Sequence, residues 1–425
     1  MAWFTAKLFY MKFDLSINCA KNLDKIDPLS SFRKEFYYPK TNGNDEGIYL
    51  CSNSLGLQPK SVLNHINTEL NIWKEKGVLG QHDRWEHFHE RLLETTSRLV
   101  GAKNTEVVVM NALTVNLHLL MISFYQPIGR KNKIIVESGA FPSDQYAIDS
   151  QVKLHGLDPK NVIIELEPRN GENSLRTEDI VNNIRSCADE LSMVLMGGVN
   201  YYTGQVFDLK TITQEAHSVG AISGFDLAHA AGNILLDLHN WNVDFAAWCS
   251  YKYLCSGPGA PSGIFIHEKH HEWDGPRLQG WWGNDKATRF KMNRDFNPIN
   301  SAEGWQISNA PILGMAPLIA SMELFDRAGM DLIYNKGQNL SNYLYYLINE
   351  IFPEINIITP KDHGCQLSLV VENGRSVFNN LSDRGVVCDW REPDVIRFAP
   401  HPLFNSYLEI FDLVKFLKES INGSK

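Results

Sequence analysis

The middle of the chain alternates between short apolar runs and longer segments with helical spacing. The runs cover residues 106–110, 133–136, 162–166, 193–196, 221–225, 245–248 and 263–266. Helices are predicted in three of the intervening segments, at residues 116–125, 144–155 and 177–188. Because strands that alternate with helices form crossover units, the pattern predicts a largely parallel seven-stranded sheet covered on both faces. The last two runs lie too close together in the sequence for a helical crossover, which favours an antiparallel strand at that point of the sheet.

The pattern changes after residue 310. Long amphipathic helices are predicted at residues 312–328 and 332–351, followed by strands at 365–371 and 395–399 on either side of a helix. A chain of 425 residues favours more than one domain. We therefore predict an α/β fold in three parts. These are an N-terminal helix and loop segment (residues 1–47) packing with the small domain, a large α/β domain (48–310) and a small α+β domain (311–425).

Composition excludes several classes of protein. Lys and Arg number 40 against 49 Asp and Glu, a net charge of −9 with no dense basic stretch, which argues against a nucleic-acid partner. No apolar run approaches the length of a membrane span, and residues 1–13 lack the apolar core of a signal peptide. Seven scattered cysteines without a Cys-x-x-Cys pair indicate free thiols, which favours a cytoplasmic protein.

Lys252 follows the run at 245–248 between two tyrosines, Tyr251 and Tyr253, and precedes a Ser-Gly-Pro-Gly breaker. Partial desolvation there would lower the pKa of the lysine and make it a Schiff-base nucleophile. Taken alone, the position also fits a surface lysine whose stem covers apolar residues.

Asp226 ends the apolar run at 221–225, and the carboxyl ends of parallel strands line the ligand crevice of such sheets. A pyridoxal phosphate (PLP) site needs a lysine for the aldehyde and a carboxylate for the pyridinium proton, and Lys252 and Asp226 supply these groups. The alternative for Asp226 is a helix N-cap.

Two further strand ends carry suitable groups. Residues 111–116 open a helix whose backbone N–H groups would hold a phosphate, with the Thr114 hydroxyl beside them. Simple capping by Asn111 or Thr114 is the alternative. The segment 139–144 places the Phe141 ring where it would stack on a planar cofactor, although a turn with an Asp144 N-cap fits as well.

Residues 267–271 match the HExxH pattern of zinc proteases. They follow a predicted strand directly and are soon interrupted by Pro276, so we predict a polar surface connection and no metal site. The histidines at 82, 87 and 89 are likewise predicted to lie on a solvated helix face.

Together these segments resemble kynureninase, a PLP-dependent family of the aminotransferase-like fold type I. The resemblance rests on ten segments: residues 53–60, 111–116, 141–144, 202–204, 224–230, 248–254, 267–270, 289–292, 307–309 and 384–389. It implies a homodimer with its active site at the subunit interface. It also implies hydrolysis of L-kynurenine or 3-hydroxy-L-kynurenine to L-alanine and anthranilate or 3-hydroxyanthranilate, a step of tryptophan catabolism and NAD biosynthesis.

The resemblance implies roles for individual residues. Lys252, Tyr251 and Asp226 would be catalytic, as Schiff-base lysine and base, proton relay and pyridinium partner. The implied cofactor-binding residues are Leu113, Thr114, Phe141, Pro142, Ser143, Asp144, Asp226, His229, Tyr251, Lys252, Trp281 and Asn309, with Trp281 reaching in from the partner subunit. The implied substrate-binding residues are Ser54, His82, Asn309 and Arg397. The guanidinium of Arg397 suits the substrate α-carboxylate.

The chain departs from the family pattern at three positions near the pocket. Gly197 replaces a serine that would contact the phosphate, Gln81 separates Gly80 from His82, and Trp282 adds a second indole. Substrate preference is therefore left open. Other fold type I activities, such as cysteine desulfurase or aminotransferase, share the site logic, although Cys365 and Cys388 fall in small-domain elements rather than on a mobile loop. A non-catalytic dimeric scaffold is disfavoured by the presence of Lys252, Asp226 and Arg397.

Overall fold

A computed structural model describes residues 12–41 and 45–423, so most of the segment 1–13, predicted not to be a signal peptide, lies outside the described residues. The strands are β1 Lys40–Thr41, β2 Asp45–Glu46, β3 Ile48–Tyr49, β4 Val107–Met110, β5 Lys133–Glu137, β6 Ile163–Leu166, β7 Leu191–Gly197, β8 Ile222–Asp226, β9 Phe245–Trp248, β10 Ser262–Ile266, β11 Asn356–Ile357, β12 Leu367–Val370, β13 Val386–Val387, β14 Asp389–Arg391 and β15 Val395–Phe398. The α-helices are α1 Ile17–Ile26, α2 Val62–Lys76, α3 Leu79–Asp83, α4 Leu93–Val100, α5 Leu113–Phe124, α6 Pro142–Leu154, α7 Pro159–Val162, α8 Thr177–Ser186, α9 Leu209–Ser218, α10 Ile312–Ala328, α11 Met330–Ile351, α12 Gly374–Asp383 and α13 Tyr407–Gly423. Among the described helices, none is long and apolar enough to cross a membrane.

The predicted sheet is confirmed. All seven apolar runs are strands of one sheet with the order β4-β10-β9-β8-β7-β5-β6. Strand β10 runs antiparallel to β4 and β9, as the short spacing predicts, and the other pairings are parallel. Helices α5 and α6 begin earlier than predicted, α6 because Pro142 occupies its first turn, where a missing N–H costs no hydrogen bond.

Side chains of the large sheet alternate between two apolar layers. In β4, Val107 and Val109 join the core that contains α4, α8, α9 and α10, whereas Val108 and Met110 join the core beneath α5 and α6. This is the period-two pattern of a strand buried on both faces. Burial on both faces leaves the carboxyl ends of the parallel strands as the exposed edge where polar side chains can collect.

A four-stranded antiparallel sheet, β11-β12-β15-β14, forms a second layer with α11, α12 and α13. Cys19, Ala20 and Leu23 of α1 pack in the same apolar cluster as Leu413 of α13. Helix α10, by contrast, contributes its buried residues to the core of the large sheet. The division at residues 47 and 310 stays a prediction.

Gly224 of β8 lies directly against the ring of Phe245 on β9. A Cβ at this position would lie 2.2 Å from Phe245 Cζ, and the ring is held in the core of the sheet. We therefore expect Gly224→Ala to lower the free energy of unfolding by about 1–3 kcal/mol. Urea unfolding followed by circular dichroism measures the change. Gly423→Ala, with no atom within 4 Å of its added methyl group, is the control; equal midpoints for the two variants would contradict the close packing.

Candidate active site

A cavity of about 190 Å³ opens at the carboxyl ends of the neighbouring strands β5, β7 and β8 and the turn after β9. It is lined by Ala112, Leu113, Thr114, Glu137, Phe141, Ser143, Asp144, Gly197, Val199, Tyr201, Asp226, Ala228, His229, Tyr251 and Lys252. The cavity therefore brings together most of the residues predicted to bind the cofactor. Of the stretch 141–144, only Pro142 does not line it.

Lys252 Nζ lies 2.9 Å from His229 Nε2 and 5.6 Å from the centre of the Phe141 ring. Burial, and next the charge of Lys252, hold the pKa of His229 well below its usual range. The imidazole is therefore neutral and accepts a hydrogen bond from Lys252 Nζ, which fixes the direction of the lysine side chain. His229 Nδ1 is buried without a hydrogen-bond partner among the described residues.

Asp226 and Asp144 are half-buried and form a hydrogen-bonded pair of carboxyls. Burial is the main cause that raises the pKa of both groups, and the charge of Asp226 raises that of Asp144 further. Two carboxylates this close cannot both ionise, so the pair holds one proton, with Asp144 as donor. Asp226 Oδ1 also accepts from the backbone N–H of Ala228 at 2.6 Å, the local turn contact expected of an Asp after a strand.

The first turn of α5 faces the cavity without a side-chain cap. The Asn111 side chain donates to Asn116 Oδ1 at 3.0 Å instead of capping, and Thr114 Oγ1 lies 2.8 Å from Ser143 Oγ. Capping by Asn111 or Thr114, the alternative left open by the sequence, is therefore not observed. Unpaired N–H groups at a helix N-terminus attract an anion, and two hydroxyls lie beside them.

These groups fit PLP. The uncapped turn of α5 suits its phosphate, the Asp226–Asp144 pair suits its ring nitrogen, and Lys252 suits its aldehyde. The Phe141 ring remains 42% exposed, which leaves one face available for stacking. The orphaned His229 Nδ1 adds a donor or acceptor for a polar group of the ligand.

Ser54 and Arg397 lie outside this lining and meet at Asp389. Ser54 Oγ donates to Asp389 Oδ2 at 2.7 Å, and Arg397 Nη2 donates to the same oxygen. Arg397 Nη1 donates to the backbone carbonyl of Tyr201 at 2.5 Å, and the Tyr201 side chain forms part of the cavity wall. Arg397 Nε is buried without a partner among the described residues, so the guanidinium keeps a free donor.

His82, Trp281 and Asn309 lie apart from Lys252 in the single chain. They line another cavity of about 260 Å³, together with Val78, Gln81, Glu86, Trp282 and Phe290, and none of these residues lines the Lys252 cavity. Trp281 is 51% exposed, whereas Trp282 is buried beneath the Arg289 guanidinium, 4.2 Å from its ring centre. Within one chain, His82, Trp281 and Asn309 thus form a group that is separate from the predicted site residues around Lys252.

Comparison with known proteins decides the family. A family model described as "Kynureninase C-terminal domain" matches residues 333–417. Kynureninase of Flavobacterium johnsoniae is 50% identical over 425 residues, covering 97% of this chain and 100% of the relative. Kynureninases of Myxococcus xanthus and Nematostella vectensis are 49% and 44% identical, covering 96% and 94% of this chain and 97% and 92% of their own lengths. The chain belongs to the kynureninase family.

Solved structures similar to this kynureninase-family chain share its fold at low identity. The cysteine desulfurase of Thermococcus onnurineus is 19% identical, with a TM-score of 0.73 over 95% of this chain and 98% of its own. A C-DES mutant with glycine linked to its PLP cofactor is 16% identical, with a TM-score of 0.74 over 87% and 96%. The cysteine desulfurases therefore share only the fold with this chain, which does not support the desulfurase alternative. Burial also raises the pKa of Cys365, to about 12, and that of Cys388, opposite to what a reactive thiol needs.

Two of the histidine predictions are wrong. His89 does not lie on a solvated face: it is 1% exposed and bonds Glu303 at 2.7 Å, because the short helix Trp85–Leu92 turns this side towards segment 281–309. In the HExxH stretch, Glu268 and Lys269 are exposed as predicted for a surface connection, whereas His267 and His271 are buried. Only Glu268–His270 is helical there, a single short turn that cannot present both histidines on one face.

Sequence reasoning missed three groups of this kynureninase-family site: Glu137, Tyr201 and Asp389. Glu137 ends strand β5 as Asp226 ends β8, so the reasoning that selected Asp226 also applies to Glu137. Tyr201 directly precedes residues 202–204, one of the ten segments on which the family resemblance rests. Asp389 is the last residue of segment 384–389, another of these ten segments. Its contact with Ser54 joins residues distant in sequence, and its contact with Arg397 joins two strands, so no local pattern predicts them.

Proposed function

We propose that this chain is a PLP-dependent hydrolase that cleaves L-kynurenine, 3-hydroxy-L-kynurenine or both into L-alanine and the corresponding anthranilate. The arrangement of Lys252, His229 and the Asp226–Asp144 pair around one cavity carries the proposal, in a chain half identical to curated kynureninases. We also propose a cytoplasmic enzyme of tryptophan catabolism and NAD biosynthesis, a location supported by seven free cysteines.

Bound PLP supplies an aldehyde for the substrate amine and an electron-withdrawing ring that stabilises negative charge on the substrate. Asp226, hydrogen-bonded to Asp144, would hold the ring nitrogen in its protonated form. The first turn of α5, with Thr114 and Ser143, binds the phosphate. Lys252, directed by the neutral His229, removes the proton from the substrate α-carbon. Burial raises the pKa of Tyr251, which keeps its hydroxyl protonated to donate at the γ-carbonyl.

Arg397 binds the substrate α-carboxylate, and Ser54 lies towards the aromatic end. Asp389 bonds both side chains, so it orients the two substrate contacts together. Because the Arg397 guanidinium is also held by the Tyr201 carbonyl, its position is fixed before substrate arrives. Such preorganisation reduces the cost of binding.

The measurement that tests the activity is alanine release by the purified protein, supplied with PLP and either L-kynurenine or 3-hydroxy-L-kynurenine. We expect release from at least one substrate, and the ratio of the two rates gives the preference. A protein that shows the visible band of bound PLP but releases no alanine from either would contradict the proposed reaction while leaving the cofactor in place.

We further propose a homodimer in which each active site is completed by His82, Trp281 and Asn309 of the partner subunit. The separation of the two groups within one chain supports this, as does the exposed apolar surface beside the second group. Trp281 and Phe290 are each 51% exposed and Met292 is 87% exposed. Large exposed apolar side chains in one region are typical of subunit interfaces.

Shared sites predict complementation between two inactive variants. Lys252→Ala and Trp281→Ala damage opposite halves of a shared site, so a mixed dimer keeps one intact site. Co-expression with two different affinity tags, followed by tandem purification, should yield up to about half of wild-type activity per dimer. The matched control is a mixed dimer of Lys252→Ala with Asp226→Ala, both on the same half, which should stay inactive. Inactivity of both mixtures would contradict sites shared between subunits.

A further inference from the structure

Glu137 is a buried carboxyl of the cavity that the proposed mechanism does not use. It is the last residue of β5 and is 7% exposed. Its side chain lines the Lys252 cavity and also an adjoining cavity of about 300 Å³, lined among others by Asn200, Gln205 and Glu392. Glu137 therefore lies in the wall between the cofactor site and a second space.

The Glu137 carboxylate is held by the backbone of Gly197 on the neighbouring strand β7. Both of its oxygens lie 3.1 Å from the Gly197 nitrogen, so the carboxylate accepts one N–H in a forked arrangement. A Cβ at position 197 would lie 2.9 Å from Glu137 Oε1. Gly197, by lacking a side chain, thus leaves this carboxylate its place in the wall.

The cavity contains more carboxyls than cations. Among the described residues, Glu137, Asp144 and Asp226 line it, whereas Lys252 is its only lining lysine and His229 is neutral. Burial, and less strongly the charge of Asp226, raise the pKa of Glu137 to about 7. The titratable groups facing the two spaces beside Glu137 are Asp144, Tyr201, Tyr202, Asp226, His229, Tyr251, Lys252 and Glu392. Burial therefore favours proton uptake by Glu137 as well as by the aspartate pair.

We propose that Glu137 is a positioning residue that sets the proton affinity of the PLP joined to Lys252, through the negative charge that Gly197 holds in the cavity wall. The inference rests on the proposed function, because it concerns the same cofactor. A buried negative charge favours the protonated form of a nearby cation. Loss of that charge therefore makes the cofactor lose its proton at a lower pH.

The test is a pH titration of the visible absorption of the holoenzyme without substrate. In Glu137→Gln, which keeps the shape and an acceptor for the Gly197 N–H, the midpoint should fall by about one pH unit. Glu137→Asp keeps the charge and should titrate near the wild-type midpoint. Glu165→Gln removes a charge from an exposed position on the adjacent strand β6 and is the matched control, expected to leave the midpoint unchanged.

A Glu137→Gln midpoint equal to that of Glu165→Gln overturns the inference and leaves the proposed function intact. A wild-type protein that shows no visible PLP band overturns the proposed function itself. Infrared titration of the wild type gives a result that does not depend on any variant folding. We expect the band of a protonated carboxyl to disappear as the pH rises through about 7, and a band that persists above this pH, with no carboxyl ionising, would leave Glu137 uncharged and overturn the inference.

Discussion

Lys252→Ala is expected to lower the rate of alanine release by at least about 10³-fold and to abolish the covalent attachment of PLP. Of the lysines that the structure describes, Lys252 alone lines the cavity, and its Nζ lies 2.9 Å from the imidazole that directs it. Its loss removes both the attachment point and the base at the α-carbon. Two measurements follow the effect: the steady-state rate with excess PLP, and the visible spectrum after borohydride reduction and denaturation.

The matched control is Lys153→Ala, which removes a lysine with a 65% exposed side chain on α6. We expect this variant to keep the wild-type rate and spectrum. If Lys252→Ala retained PLP after borohydride reduction and denaturation, another lysine would be the attachment point and the assignment of Lys252 would be wrong.

Asp226→Asn is expected to reduce alanine release by about 10²–10³-fold, the cost of losing one preorganised electrostatic group. The amide cannot hold a proton on the ring nitrogen, so the ring becomes a poor acceptor of charge. Asp144→Asn should have a smaller effect. Asp144 is the proton donor within the pair, and an amide N–H can replace that donation to Asp226.

The comparison of these two isosteric variants distinguishes an electrostatic role from a purely structural one. Both remove one ionisable group from the same pair, so a purely structural role predicts equal losses. Asp149→Asn, on the exposed side of α6, controls for the change of charge. A larger loss for Asp144→Asn than for Asp226→Asn would reverse the assigned roles of donor and acceptor.

The architecture was predictable because each strand of the large sheet is a local signal. A strand buried on both faces must be apolar along its whole length, so each of the seven strands can be recognised from its own short stretch of sequence. Element ends were less accurate. Helix α5 begins at Leu113 rather than at residue 116, since an uncapped first turn carries no capping residue to mark it.

Part of the site was predictable for the same reason, because Asp226 and Lys252 follow strands whose carboxyl ends must meet. The bond from Ser54 to Asp389 and the pairing of Glu137 with Gly197 join residues that are distant in sequence. Such contacts depend on packing between elements, which no local pattern encodes. The burial of His89 was unpredictable for the same reason, because it depends on a contact with Glu303, which is distant in sequence.

The residues proposed to bind the cofactor and those proposed to bind the substrate lie in different layers of the fold. The groups suited to PLP lie on the large sheet, whereas Arg397 and Asp389 belong to the four-stranded sheet near the C-terminus. Mutations in the smaller sheet can therefore alter substrate choice while the cofactor chemistry is inherited unchanged. Such modularity gives natural selection a route to new specificities on one cofactor-binding layer.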